Sequence, residues 1–149
     1  MTEKFSRSSD ETREFARQFG ASLPRGSFIA ITGTLGAGKT EFVRGLCEAL
    51  NFTGTVTSPT FSILNIYHGS LHGAPLDINH FDLYRLNTAS DLQSIGYEDY
   101  FYGDGVTIVE WAEKFPELLP QHAMHVHLEI AGEHERRIEF ERYSMLLRR

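Results

Sequence analysis

Three observations predict a three-layer α/β domain of the P-loop type, with a mostly parallel central sheet and a C-terminal β-hairpin. A β-rich run, Phe28-Ile29-Ala30-Ile31-Thr32, enters a glycine-rich loop that leads directly into an amphipathic helical stretch. Two more strand-like runs, 76–81 and 106–109, end at acidic residues, Asp82 and Glu110. Near the C-terminus, two alternating runs flank Gly132-Glu133, the pattern of a hairpin.

Taken in order, Ser8-Ser9-Asp10-Glu11 reads as a capping box that opens a helix. Phe15 and Phe19 share one face of it, and Gly20 is its stop signal. Pro24-Arg25-Gly26 turns the chain into the first strand, 28–32. Residues 39–50 then carry Phe42, Val43, Leu46, Cys47 and Leu50 at helical spacing. Pro59 biases Ser58 to an extended conformation. Residues 61–67 are strand-like, and 68–75, with two glycines and a proline, read as a turn or loop. Residues 76–81 form the next strand. Residues 89–101 read as short helices broken near Gly96. Gly103-Asp104-Gly105 is a turn before the buried-type strand 106–109. Met124, Val126, Leu128 and Ile130 alternate with His125, His127 and Glu129, and Ile138 and Phe140 mark the return strand.

The loop between first strand and helix is Gly33-Thr34-Leu35-Gly36-Ala37-Gly38-Lys39-Thr40, or G-x-x-x-x-G-K-T. This is the pattern of a phosphate-binding loop. Its glycines let the backbone curl until successive N–H groups point at phosphate oxygens. Lys39 reaches the β- and γ-phosphates in such a loop, and the Thr40 hydroxyl holds Mg²⁺. The helix N-terminus adds its positive dipole end.

A metal bound there calls for an acid at the end of a neighbouring strand. Asp82 and Glu110 both qualify, because strand ends on one edge of an α/β sheet converge on the ligand crevice. The sequence does not divide the roles between them. Thr57-Ser58-Pro59-Thr60 lies where switch segments of such folds occur, and an ordinary polar turn is the competing reading. His122, His125 and His127 lack a further Cys or His at zinc-ligand spacing, so they read as a solvated strand face. Trp111 reads as a packing residue or lid.

The chain has 149 residues, in keeping with one domain over 1–149. Its net charge of −6 argues against unaided nucleic-acid binding, which relies on Lys and Arg at phosphates. No apolar run approaches a membrane span, and the first residues lack the apolar core of a secretory signal. The lone Cys47 sits on the apolar stripe of the loop's helix and excludes an intrachain disulfide. A cytoplasmic location is expected.

The loop, Thr57-Ser58-Pro59-Thr60-Phe61, His80-Phe81-Asp82-Leu83-Tyr84-Arg85, Asp91-Leu92 to Ile95-Gly96 with Asp99-Tyr100, and Val109-Glu110-Trp111 occur in that order. Together they resemble the TsaE (YjeE) family, small bacterial P-loop ATPases of tRNA threonylcarbamoyladenosine biosynthesis. The matching blocks run from about residue 33 to 111.

The resemblance implies ATP or ADP on Lys39 and the backbone of Gly36, Ala37, Gly38, Thr40 and Glu41. It implies Mg²⁺ at Thr40 and Glu110, turnover dependent on Asp82, and a switch at Thr57, Ser58 and Thr60. It places the base between the N-terminal segment and the late hairpin, at 10–12 and 133–137. It implies TsaD and TsaB as partners that hold the tRNA. Two positions depart from the family: Thr34 stands where Asp is frequent, and Gln93 where an acid is common.

The expected function is therefore Mg²⁺-dependent ATP hydrolysis within that modification machinery, slow alone and stimulated by partners, because no arginine is placed as a finger. The alternatives are a small-molecule kinase, although no Arg-rich lid segment is visible, and a nucleotide-gated binding module. A GTPase is disfavoured by the absence of N-K-x-D.

Overall fold

The computed structural model describes residues 2–34, 36–57 and 63–141. One seven-stranded sheet runs through them in the order β1-β7-β6-β2-β5-β4-β3. The strands are β1 (Thr2–Ser6), β2 (Phe28–Gly33), β3 (Leu64–Leu71), β4 (Ala74–Asp82), β5 (Val106–Glu110), β6 (Met124–Ile130) and β7 (Arg136–Glu141). The central four, β6-β2-β5-β4, are parallel, and β1, β7 and β3 add antiparallel edges. The late hairpin β6–β7 thus extends the parallel centre.

Helices cover both faces. On one lie α1 (Ser9–Gly20) and α2 (Lys39–Ala49). Their Ala16, Phe19, Phe42, Val43 and Leu46 pack on Ile29, Ile31, Ile78, Ile108 and Val126 of the sheet. On the other lie α3 (Ala89–Gln93) and α4 (Tyr97–Phe101). There Phe28, Phe81 and Val109 meet Leu92, Tyr97 and Phe101. The alternation of Phe28 with Ile29 and of Phe81 with His80 follows from the period of two along a strand.

Local signals account for most boundaries. The Ser8 hydroxyl accepts from the Glu11 N–H at 3.1 Å, and the Arg7 N–H donates to the Glu11 carboxylate at 2.9 Å. Gly96, at φ 69°, is the N-cap of α4 and follows the Ser94 C-cap of α3. The α1–α2 contact depends on Gly45, where a Cβ would stand 2.2 Å from the Arg13 carbonyl and 2.6 Å from the Ala16 Cβ.

Two expectations need correction. The turn or loop expected over 68–75 is only two residues long: β3 continues to Leu71, β4 begins at Ala74, and His72-Gly73 make the turn. Both turn residues have positive φ, 52° and 81°, which matches the twist of a tight hairpin. The strand β1 has no counterpart in the sequence reading. It is a mostly exposed edge strand held by the ladder to β7, so it lacks an apolar alternation to betray it. The first residues of the expected strand 61–67 lie outside the described residues.

Candidate functional site

β2 delivers the chain to the glycine loop, and α2 leads it away. Gly33, Gly36 and Gly38 have φ of 139°, 80° and 95°, values that L side chains rarely adopt. At Gly33 a Cβ would also stand 2.3 Å from the Leu128 carbonyl. Gly38 is the N-cap of α2, so the curl of the loop ends where the helix N–H groups begin.

Lys39 is 6% exposed. Its ammonium donates to the Gly33 carbonyl at 2.7 Å and lies 3.7 Å from the centroid of the Trp111 ring. Burial lowers its pKa, opposed by the negative charges of Glu110, Glu113 and Asp82. Trp111 itself has φ 60°, an uncommon backbone for a bulky residue and one that clusters at functional sites. Thr40 follows in the first turn of α2, half-buried.

Asp82 and Glu110 are register partners at the ends of the adjacent parallel strands β4 and β5. Asp82 is half-buried and accepts from the Tyr84 N–H at 3.0 Å. Desolvation raises its pKa, the nearby Glu110 adds to the rise, and His80 and Lys39 oppose it. Glu110 is 4% exposed, and its Oε2 lies 2.5 Å from His80 Nε2. His80 is fully buried, with Nδ1 3.0 Å from the Tyr67 hydroxyl. That hydroxyl donates to the Thr57 carbonyl at 3.0 Å.

The arrangement thus gathers Lys39, Asp82 and Glu110 into one cluster of charges, with Thr40 beside Lys39 on α2. The residue types suit a hard cation: Thr40 hydroxyl and two carboxylates are oxygen donors of the kind Mg²⁺ takes.

Beside the loop opens a cleft of about 280 Å³, between Ser8 and Thr12, the backbone of Gly36 and Gly38, and His134 and Arg136 of the β6–β7 turn region. Arg136 donates to the Gly36 carbonyl at 3.1 Å, which latches the hairpin to the loop. The two chain segments expected around a base therefore meet at one cleft. Of the switch residues, Thr57 is exposed and joined to β3 through Tyr67, whereas Ser58 and Thr60 lie outside the described residues.

The histidine-rich strand behaves as a polar face. His127, Glu129 and Glu139 bring ligand atoms within 4.8 Å of one another. Arg137 already neutralises them, with Nη2 2.5 Å from Glu129 and 3.4 Å from Glu139. Cys47 is buried, and desolvation pushes its thiol up to about 12.

Sequence reasoning gave no role to Tyr67 and none to His80 as an individual residue. The signal for His80 was available: it stands two residues before Asp82, on the same strand face. Tyr67 had no such signal, because its place depends on the β3–β4 register.

A strand, a glycine loop and a helix on a parallel sheet, with acids at two neighbouring strand ends, define a P-loop NTPase-like α/β protein. The family model "Threonylcarbamoyl adenosine biosynthesis protein TsaE" matches residues 6–138. A Bacillus subtilis relative, "tRNA threonylcarbamoyladenosine biosynthesis protein TsaE", is 38% identical over 141 residues, covering 92% of this chain and 85% of its own. A Treponema pallidum relative of the same description is 37% identical over 133 residues, covering 89% and 95%. The solved structure of Bacillus subtilis YdiB superposes with a TM-score of 0.76 at 32% identity, over 99% of this chain and 91% of that one. The chain belongs to the TsaE family.

Proposed function

We propose that this protein binds and hydrolyses ATP with Mg²⁺ as a subunit of the machinery that makes threonylcarbamoyladenosine in tRNA, acting with TsaD and TsaB in the cytoplasm. The observation that supports this most is the single cluster of Lys39, Asp82 and Glu110 at the end of the glycine loop. The relatives' names supply the biosynthetic context. Among the described residues no helix is long and apolar enough to cross a membrane.

In this reading the backbone N–H groups of residues 36–41 hold phosphate oxygens, and Lys39 leaves the Gly33 carbonyl and Trp111 to neutralise the transferring phosphoryl group. Thr40 and Glu110 would hold the ion. Mg²⁺, when bound, neutralises charge that develops on the phosphates. Asp82 orients the attacking water. The cleft between Thr12 and Arg136 receives the base. Lys39, Thr40, Asp82 and Glu110 include no arginine, and a partner-supplied or partner-ordered group is typically worth roughly 10³–10⁵ in rate. Hydrolysis by the isolated chain is therefore slow.

The test is tRNA modification reconstituted from purified partners with wild type, Glu110→Gln or no added chain. The expected result is modification over many rounds with wild type only, while Glu110→Gln binds ATP normally and hydrolyses it about a hundredfold more slowly, a loss of the size seen when a transition-state contact is removed. Full modification by Glu110→Gln would replace the hydrolysis reading with nucleotide-gated binding.

A further inference from the structure

We propose that Tyr67 and His80 are positioning residues that tie the Glu110 carboxylate to the backbone carbonyl of Thr57 and so set the aim of that carboxylate. The proposal rests on Glu110 serving the metal side of the site. It adds a mechanical connection between that acid and residue 57, where the candidate switch begins.

The connection is a continuous diagonal across three adjacent strands. Tyr67 on β3 faces Ile78 on β4, and His80 follows two residues later on the same face. His80 in turn faces Ile108 on β5, and Glu110 follows two residues later. Each step moves one strand across and two residues up, which keeps all three side chains on the α2 face. The spacings along it are 3.0 Å from Thr57 O to the Tyr67 hydroxyl, 3.0 Å to His80 Nδ1, and 2.5 Å from Nε2 to Glu110 Oε2.

Hydrogen-bond direction gives the diagonal its logic. The Thr57 carbonyl only accepts, so it takes the single Tyr67 hydroxyl proton. The lone pairs of the phenol oxygen then face Nδ1, and the ring held between phenol and carboxylate presents Nε2 to Glu110. One carboxylate oxygen, Oε2, is thereby engaged and the direction of the other is set. Removal of the Tyr67 hydroxyl would leave His80 Nδ1 without the partner that orients its ring. Phe52, stacked on Tyr67 at 4.8 Å between centroids, holds the phenol ring in place.

Packing alone is a poor account of these residues. A buried imidazole and carboxylate cost desolvation that a leucine or phenylalanine would not. Residues that orient a metal-side ligand from behind typically matter about 10–100-fold in metal affinity or activity.

Tyr67→Phe is the discriminating variant, because it keeps the ring and its stack and removes only the hydroxyl. The expected result is an unchanged ATP Kd, kcat lowered about tenfold with KM for ATP unchanged, and a higher Mg²⁺ concentration at half-maximal rate. In nucleotide-free protein, the His80 ring-nitrogen NMR signals shift. His80→Gln, which keeps a donor for Glu110 but cannot reach Tyr67, should lower kcat and raise the Mg²⁺ requirement to a similar extent. Unaltered kcat and Mg²⁺ dependence in either variant would overturn the positioning role. A poorly active Glu110→Gln beside a fully active Tyr67→Phe sinks the relay alone. A fully active Glu110→Gln removes the ATPase reading beneath it.

Discussion

The Lys39 ammonium sits 3.7 Å from the centre of the Trp111 indole, and the same nitrogen donates to the carbonyl of Gly33 at 2.7 Å. The cation of the glycine loop is thus parked on an aromatic face and on the loop's own first residue. Tyr84 packs on the indole from elsewhere, with centroids 4.8 Å apart. Because Trp111 is the chain's one tryptophan, its emission reports on the surroundings of this indole. Addition of Mg²⁺ and ATP is expected to shift or change the intensity of that emission as Lys39 moves to phosphate. Lys39→Ala should show an altered starting spectrum and no response. A response of equal size in Lys39→Ala would break the assignment.

Lys39 should also cost the fold stability. Burial lowers its pKa below the unfolded value, so the unfolded chain binds more protons between the two. The sign follows: the cost is fully present below the lowered folded pKa and is relieved as pH rises toward the unfolded value of about 10.4. Lys39→Met is therefore expected to be as stable as wild type in urea at pH 7, within about 1 kcal/mol, despite losing ATP binding. The gap between wild type and variant should move in favour of wild type as pH rises through that window. A loss of several kcal/mol in Lys39→Met at pH 7 would show that the ammonium holds the loop together.

Cys47 offers a probe of the α2 face. With its thiol pushed up to about 12, alkylation of the native protein at pH 8 should run roughly a thousandfold slower than that of a free cysteine. Denaturant should restore the ordinary rate at the unfolding midpoint. Rapid native alkylation would mean that the α2 face opens locally.

Gly45→Ala tests the helix crossing. The added methyl meets the Arg13 carbonyl and the Ala16 Cβ, neither of which is a flexible side-chain end. Overpacking of this kind costs about 1–3 kcal/mol. Chemical denaturation should show that loss with an unchanged m-value, and a neutral or stabilising result would show that α1 can shift.

How much was legible varied with the range of the forces involved. The capped start of α1 at Ser8 and Glu11, the amphipathic face of α2 and the glycine loop are written in residues close together. So are the strand ends at Asp82 and Glu110, each an apolar run stopped by an acid. The β3–β4 turn falls within the expected stretch 68–75 but is shorter, because the strand pairing that extends β3 and β4 to His72-Gly73 is a relation between strands rather than a local signal. β1 was missed because it is stabilised by β7, whose partners lie more than a hundred residues away.

The sequence by itself determined the loop, its lysine and threonine, the two acids and the family, because each rests on a local pattern of residue types. Tertiary structure alone decided that Lys39 lies on Trp111, that Arg136 latches Gly36, and that Tyr67, His80 and Glu110 form one line ending at Thr57. Those relations depend on the order of strands and on register, and a one-residue slip in either would have turned the same side chains to the opposite face.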